Sequence, residues 1–214
     1  MSNSEGSTRS KKEYALKYAE WGWPVFPVFE PNDDGGCSCG DSDCNSPAKH
    51  PRISGGRNQA TTDAAQIEAW WTQWPNANIG IATGEESGIW VLDIDDRHGG
   101  RDSLQELMCE FGELPETLKS ETGGGGEHWV FIDANTNVRN KANVRSGIDV
   151  RGKGGYIVAP PSVHISGRQY QWNKNIFASE LQLATAPHWL LNLGSHRQKI
   201  RDQSHQLPDR SEKA

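Results

Sequence analysis

An apolar run that ends in two carboxylates, Gly88-Ile-Trp-Val-Leu-Asp-Ile-Asp95, restricts the architecture of this chain most sharply. Ile89 to Leu92 is short, β-branched and aromatic, and so reads as a strand buried on both faces rather than as a helix. Side chains alternate across a strand, which points Asp93 and Asp95 to the same side, about 7 Å apart along the chain. Two carboxylates on one face at the end of a buried strand repel each other and are costly without a cation. Two readings are open at this point: a solvated pair that caps the following turn, or part of a metal site.

A second stretch poses a different problem. Cys37, Cys39, Cys44 and His50 lie in a glycine- and aspartate-rich loop with almost no apolar side chains. Such a loop cannot hold itself by hydrophobic burial. Tetrahedral zinc bound by three thiolates and an imidazole would hold it, and cysteines at this density in an intracellular protein favour a metal over a disulfide. The spacing Cys-x-Cys-x4-Cys-x5-His is not the common Cys-x2-Cys knuckle, so free thiols beside a coincidental histidine, or a disulfide, remain alternatives. Cys109, on an expected helix, reads as a small buried hydrophobe.

Composition matters for what else the chain can do. Its 214 residues can bury one good core and a small accessory module, although only 34% are apolar; nine tryptophans compensate in core volume. No apolar stretch approaches the ~20 residues needed to cross a bilayer, and the N-terminus lacks a signal-peptide core, so the expectation is a soluble, cytoplasmic protein. A net charge of -6 would argue against nucleic-acid binding if it were spread evenly. It is not, because Lys141, Arg145, Arg151 and Lys153 surround one acidic residue and allow a local basic patch.

Residues 1–9 are polar and read as disordered. Ser10 and Glu13 form a capping box for a helix with Tyr14, Ala15, Tyr18 and Ala19 on one face, ended by Gly22. Trp23 to Phe29 reads as a strand whose ladder is limited by Pro24 and Pro27. Thr61-Thr62-Asp63 offers caps for a helix carrying Ile67, Trp70, Trp71 and Trp74, closed by Pro75. These tryptophans read as core, with base stacking the sharper alternative. Asn78 to Gly84 is a further strand. After Asp95 a helix over Ser103 to Phe111 presents Leu104, Leu107, Met108 and Phe111, with Gly112 as its stop. Pro187 opens a last short helix through Leu193, and the segment 194–214 reads as a polar linker or tail.

Two more stretches carry chemistry. Thr122 and four glycines lead into Glu127-His-Trp-Val-Phe131, a strand; backbone amides of such a loop can approach an anion closely. His128 is then either a structural histidine or a phosphate contact. Farther on, Asp149 sits in a strand between Ile148 and Val150, flanked by Arg145, Arg151 and Lys153. It is either a salt-bridge partner for those cations or, if its strand pairs near the first one, a third carboxylate for Mg²⁺ or Mn²⁺. The surrounding cations would then hold phosphates. Gly154-Gly155 turns the chain into a strand at Tyr156–Ala159, and a further strand is expected over 168–172.

Three motifs thus follow in order: Leu-Asp93-Ile-Asp95, the glycine-rich loop leading to His128, and Gly-Ile-Asp149-Val-Arg-Gly-Lys-Gly-Gly-Tyr. In that order they resemble the prim-pol domain of the archaeo-eukaryotic primase superfamily, the bifunctional DNA primase/polymerase type of plasmids, phages and integrated elements. Gly22-Trp-Pro-Val-Phe-Pro-Val, the Cys/His loop ending in Lys49-His-Pro-Arg52, Trp70-Trp71 and Asn78-Ile-Gly-Ile add to the resemblance, which runs from about residue 13 to about 193.

The resemblance implies an α/β (α+β) catalytic core: an RRM-like mixed sheet bearing three carboxylates, an N-terminal α/β unit beside it, and a zinc-binding insertion at 37–50 within a domain spanning 10–193. It implies template-directed nucleotidyl transfer to a primer 3′-hydroxyl, with Asp93, Asp95 and Asp149 holding two divalent ions, Mg²⁺ or Mn²⁺. His128 would contact the incoming triphosphate; Arg145, Ser146, Arg151 and Lys153 are further candidates for phosphate and sugar contacts. Cys37, Cys39, Cys44 and His50 would hold structural Zn²⁺. Expected partners are template and primer DNA, dNTPs or alternatively NTPs, and a helical priming domain and helicase in the full-length protein or operon, in a prokaryotic cell or encoded by a virus or plasmid. The chain carries no helical domain after its polar tail, so primer extension is expected, with weak or absent de novo priming. Template affinity should be modest and fall steeply with salt. A metal-dependent nuclease using the same carboxylates and a non-catalytic single-strand-binding replication module are the rival readings.

Overall fold

A computed structural model describes residues 9–134, 138–178 and 180–195. Apart from Arg9, Gly194 and Ser195, the expected polar segments 1–9 and 194–214 lie outside the described residues.

Local signals at the N-terminus act as expected. The Ser10 side chain accepts from the Glu13 amide while Glu13 accepts from the Ser10 amide at 2.7 Å, closing a capping box on α1 (Lys11–Glu20). The chain then turns through Gly22 at φ 78°, a left-handed conformation that costs glycine little. Strand β1 (Val25–Val28) follows, then the Cys/His loop. Asp63 caps α2 (Ala64–Gln73), accepting from the Gln66 amide at 2.7 Å. Ile67 and Trp71 on α2 are buried, and the Trp71 indole donates to the Ala77 carbonyl, so the core reading of that tryptophan holds. Strand β2 (Asn78–Ala82) pairs antiparallel with β1, setting Pro27 opposite Ile79. Proline is tolerated there because β1 is an edge strand.

Downstream come β3 (Ile89–Ile94), α3 (Gly100–Phe111), β4 (Lys119–Glu121), β5 (Glu127–Ile132), β6 (Lys141–Arg145), β7 (Ile148–Arg151), β8 (Tyr156–Ala159), β9 (Gln171–Trp172), β10 (Ala184–Thr185) and α4 (His188–Ser195). Two sheets result. The smaller runs β1-β2-β8; the larger runs β6-β7-β3-β5-β4-β9, with β10 parallel to the end of β5. The short strands β4, β6 and β10 lack an alternating pattern of their own and are made by their neighbours.

The pleat of β3 divides the interior. Ile89 and Val91 pack with α1, α2 and the small sheet, while Trp90, Leu92 and Ile94 pack with Leu104 and Leu107 of α3 and Leu190 of α4. Both faces of β3 are therefore covered, as its composition predicts. Two expectations on α3 are corrected. Cys109 is exposed, because a residue two positions beyond Leu107 falls on the opposite side of a helix. Phe111 is 43% exposed at the last turn and stacks on Trp189 rather than entering the core.

The architecture is the expected mixed α/β fold, with an N-terminal unit of α1, β1, α2 and β2 beside the larger sheet and the Cys/His loop inserted between β1 and α2. Among the described residues, no helix is long and apolar enough to cross a membrane.

Candidate active site between the two sheets

Asp93 continues the face of β3 that carries Ile89 and Val91, but here the core gives way to a cleft of ≈ 670 Å³. Register then assembles a row across three strands. Asp93 is opposite His128 on β5 and opposite Asp149 on β7. The condition attached to Asp149 in the sequence, that its strand pair beside the first carboxylates, is met. Asp93, Asp95, His128 and Asp149 all line the cleft, facing Lys49, Tyr156 and Tyr170.

Asp95 sits just past β3 in extended backbone, which preserves the alternation, and its carboxylate accepts from the Arg97 amide at 3.1 Å. Its backbone is clamped by glycines. The Asp95 amide donates to the Gly147 carbonyl at 2.7 Å, and its carbonyl accepts from Gly100 at 3.0 Å. Gly147 has φ +65°, and a Cβ there would stand 2.4 Å from the Gly100 amide nitrogen, so only glycine lets the β6–β7 turn reach this far.

The three carboxylates do not gather on one point; each is held by a cation of the chain. Arg151 donates through Nε and Nη2 to Asp93 Oδ2 at 3.0 and 2.9 Å, and through Nη2 to Asp149 Oδ2 at 2.7 Å. His128 Nε2 lies 3.5 Å from Asp93 Oδ1, while its buried Nδ1 has no hydrogen-bond partner among the described residues. Asp95 is held by Arg97 and by His98, whose Nδ1 is 3.0 Å away. Burial opposes ionisation of Asp93, but His128 and then Arg151 outweigh it and keep the carboxyl well below the usual range. The hydrogen bonds of Arg97 hold Asp95 at about 2, against a desolvation cost and with help from His98. Asp93, Asp95 and Asp149 would offer hard divalent cations the oxygen donors they take, and Arg151 pairs with Asp93 and Asp149.

Arg151 thus reaches the site, but the cationic run around it is dispersed. Lys153 pairs with Glu85 at 2.7 Å, Lys141 donates to the Leu193 carbonyl, and Arg145 reaches the Val144 carbonyl at 3.5 Å. Ser146 donates to the His98 carbonyl at 2.8 Å and braces the turn beneath Asp95. Arg145, Ser146 and Lys153 do not line the cleft. The glycine loop is closed on itself: Gly125 and Gly126 donate to Thr122, and Thr122 to the Gly126 carbonyl. Those two amides are therefore spent within the loop rather than offered to an anion. Lys49, Arg97, Tyr170 and Asn143 were not singled out from the sequence. Arg97 could have been found two residues past the second aspartate; Lys49 and Tyr170 arrive from distant loops.

The Cys/His loop forms a second centre. One ligand atom each from Cys37, Cys39, Cys44 and His50 lies within 4.8 Å of the others, and Cys37 Sγ is 3.5 Å from His50 Nε2. Tetrahedral zinc with ordinary bond lengths requires about 3.6 Å between such a sulfur and nitrogen, so this pair stands at a zinc-like separation and the four residues could hold the ion. The cysteines are free, which sets the disulfide alternative aside.

No curated protein matches the chain. A family model does, over residues 15–189, a span that takes in the Cys/His loop, all three aspartates and His128. The chain belongs to the Prim-Pol family, the N-terminal domain of bifunctional DNA primase/polymerases.

Proposed function

We propose that this domain, residues 10–193, extends a primer on a DNA template by nucleotidyl transfer at the cleft between its two sheets. Family membership supplies the coarse part of the reading: a metal-dependent primase/polymerase nucleotidyltransferase acting in replication on DNA and nucleotides. The observation that carries the finer part is the row Asp149–Asp93–His128, continued by Asp95, on the floor of one open cleft.

Asp93, Asp95 and Asp149 are the residues that would hold Mg²⁺ or Mn²⁺. Two such ions supply a lowered pKa at the primer 3′-hydroxyl and charge stabilisation at the α-phosphate. The chain does the rest. The pKa values of Asp93 and Asp95 are held below the usual carboxylate range by their cationic neighbours, so neither needs to lose a proton near neutral pH before an ion binds. Arg151 neutralises Asp93 and Asp149 until then and is the guanidinium best placed to turn onto phosphate oxygens afterwards. His128, buried against Asp93, fixes that carboxylate and presents one edge of the nucleotide subsite. Zn²⁺ at Cys37, Cys39, Cys44 and His50 is assigned a structural part. For de novo synthesis, the resemblance assigns a helical priming domain and a helicase as partners.

The test is extension of a labelled primer–template with dNTPs and Mg²⁺ or Mn²⁺, comparing wild type with Asp93→Ala/Asp95→Ala. Extension that disappears in the double variant while DNA binding persists supports the proposal. Primer shortened without dNTPs would move the function to a nuclease; binding with no extension by wild type would leave a single-strand-binding module.

A further inference from the structure

Lys49 lines the catalytic cleft, yet it lies next to His50 in the Cys/His loop. On the polymerase reading above, we propose that Lys49 binds the polyphosphate of the incoming nucleotide and that the zinc loop exists in part to deliver it, so zinc sets nucleotide affinity as well as stability.

The cleft's other cations are engaged. Arg97 pairs with Asp95 at 2.8 Å, and Arg151 with Asp93 and Asp149 at 2.9 and 2.7 Å. Among the described residues, the half-buried Lys49 ammonium has no ion-pair partner within 4.0 Å and no hydrogen bond, although it senses the charges of Asp93, Asp95, Arg97 and Arg151. An ammonium partly withdrawn from water without a partner is unfavourable unless an anion completes it. Polyphosphate is the anion that the proposed reaction brings to this position, and a lysine serves it as a point charge.

The backbone around Lys49 is pinned from two sides. Ala48, buried at φ 58°, donates its amide to Cys37 Sγ at 3.3 Å, and the His50 carbonyl accepts from Phe29. From the opposite side Asn78 donates to the Ala48 carbonyl at 3.1 Å, and the Tyr156 hydroxyl donates to the Lys49 carbonyl at 2.9 Å. The segment Ala48–His50 is thus tied to the thiolate ligand Cys37 through the Ala48 amide and carries the imidazole ligand, with Lys49 as its residue lining the cleft. Loss of the metal would free the Cys37 thiolate that accepts from Ala48 and the His50 imidazole next to Lys49, loosening the segment from the loop side.

The decisive experiment measures dATP affinity with Mg²⁺ and no DNA, by equilibrium dialysis, on the zinc-loaded protein. Lys49→Met should bind dATP at least about tenfold more weakly, the loss expected for one charge-assisted contact, and Lys49→Arg should recover most of it. In primer extension the KM for dNTP should rise more than kcat falls, with the KM for DNA unchanged. Chelating zinc should weaken dATP binding by the wild type but add little in Lys49→Met. Wild-type extension and dATP binding with Lys49→Met within twofold of it would overturn the Lys49 assignment alone. An equal effect of chelation on both proteins would overturn the coupling to zinc. No dATP binding by the wild type would overturn the polymerase reading itself, and this proposal with it.

Discussion

Asp93 and Asp149 stand opposite each other in the β3–β7 register, and a single guanidinium, that of Arg151, ties them together. Two ionised carboxylates on adjacent strands would otherwise repel across a cross-strand pair. Arg151→Leu should therefore lower stability by about 2 kcal/mol, since the loss leaves two partly buried charges uncompensated. Mn²⁺ or Mg²⁺ should restore the melting temperature of the variant by more than it raises that of the wild type. Thermal melts with and without the ion decide this; equal shifts in the two proteins would mean that ion and guanidinium do not compete.

The Cys/His centre makes a count possible. Cys109 is exposed, while Cys37, Cys39 and Cys44 converge with His50. The native protein should carry about one zinc per chain, and a thiol reagent should modify one cysteine rapidly. After chelation three more should react, and the melting temperature should fall. Four rapid thiols in the metal-replete protein would rule out zinc ligation.

Gly126 packs against the end of β3 so closely that a Cβ would stand 1.9 Å from the Ile94 carbonyl oxygen. At Gly124, in the same loop, the nearest atom would be an ordinary contact at 3.7 Å. Gly126→Ala should cost about 1–3 kcal/mol and disturb the site through Asp95, whereas Gly124→Ala should lie within about 0.5 kcal/mol of wild type. Urea unfolding of both variants makes the comparison.

His164 is buried against Tyr170, a residue that lines the cleft. Burial first, then the positive charges of Lys49, Arg97 and Arg168, lower its pKa to about 4. The unfolded chain, with an ordinary histidine value of about 6.5, takes up its proton first as pH falls. The stabilising contribution of neutral His164 is thus whole above pH ~6.5, shrinks toward pH ~4 and is gone below it. Unfolding free energies of wild type and His164→Gln at pH 7.5, 6 and 4.5 should show the gap between them closing as pH falls. A constant gap would exclude this titration.

Much of the fold was legible because its signals are local. The Ser10–Glu13 capping box, the Asp63 cap and the alternation along Ile89–Asp95 each need only neighbouring residues, and each appears in the structure. The candidate site was half legible. Alternation placed Asp93 and Asp95 on one face, but only the antiparallel register brings His128 and Asp149 beside Asp93. Charge counting failed for the run 141–153. Arg151 and Lys153 are two residues apart and carry the same sign, but β7 ends at Arg151, so its pleat no longer directs the lysine, which turns to Glu85. Lys49 was overlooked for a related reason: in sequence it belongs to the zinc loop, and only the packing of β8 under that loop gives it to the cleft.

Along β3, length is constrained more tightly than identity. One pleat sorts Trp90 and Leu92 to one core, Ile89 and Val91 to the other, and then carries Asp93 and Asp95 into the cleft. A conservative apolar replacement at any of the first four positions would be absorbed by repacking. Insertion or deletion of a single residue between Ile89 and Leu92 would instead exchange the two faces relative to the carboxylates, forfeiting a core and the chemistry in one event. Descendants of this chain can therefore lengthen the Cys/His insertion or the loops around the cleft, but must hand down the spacing of this strand unchanged.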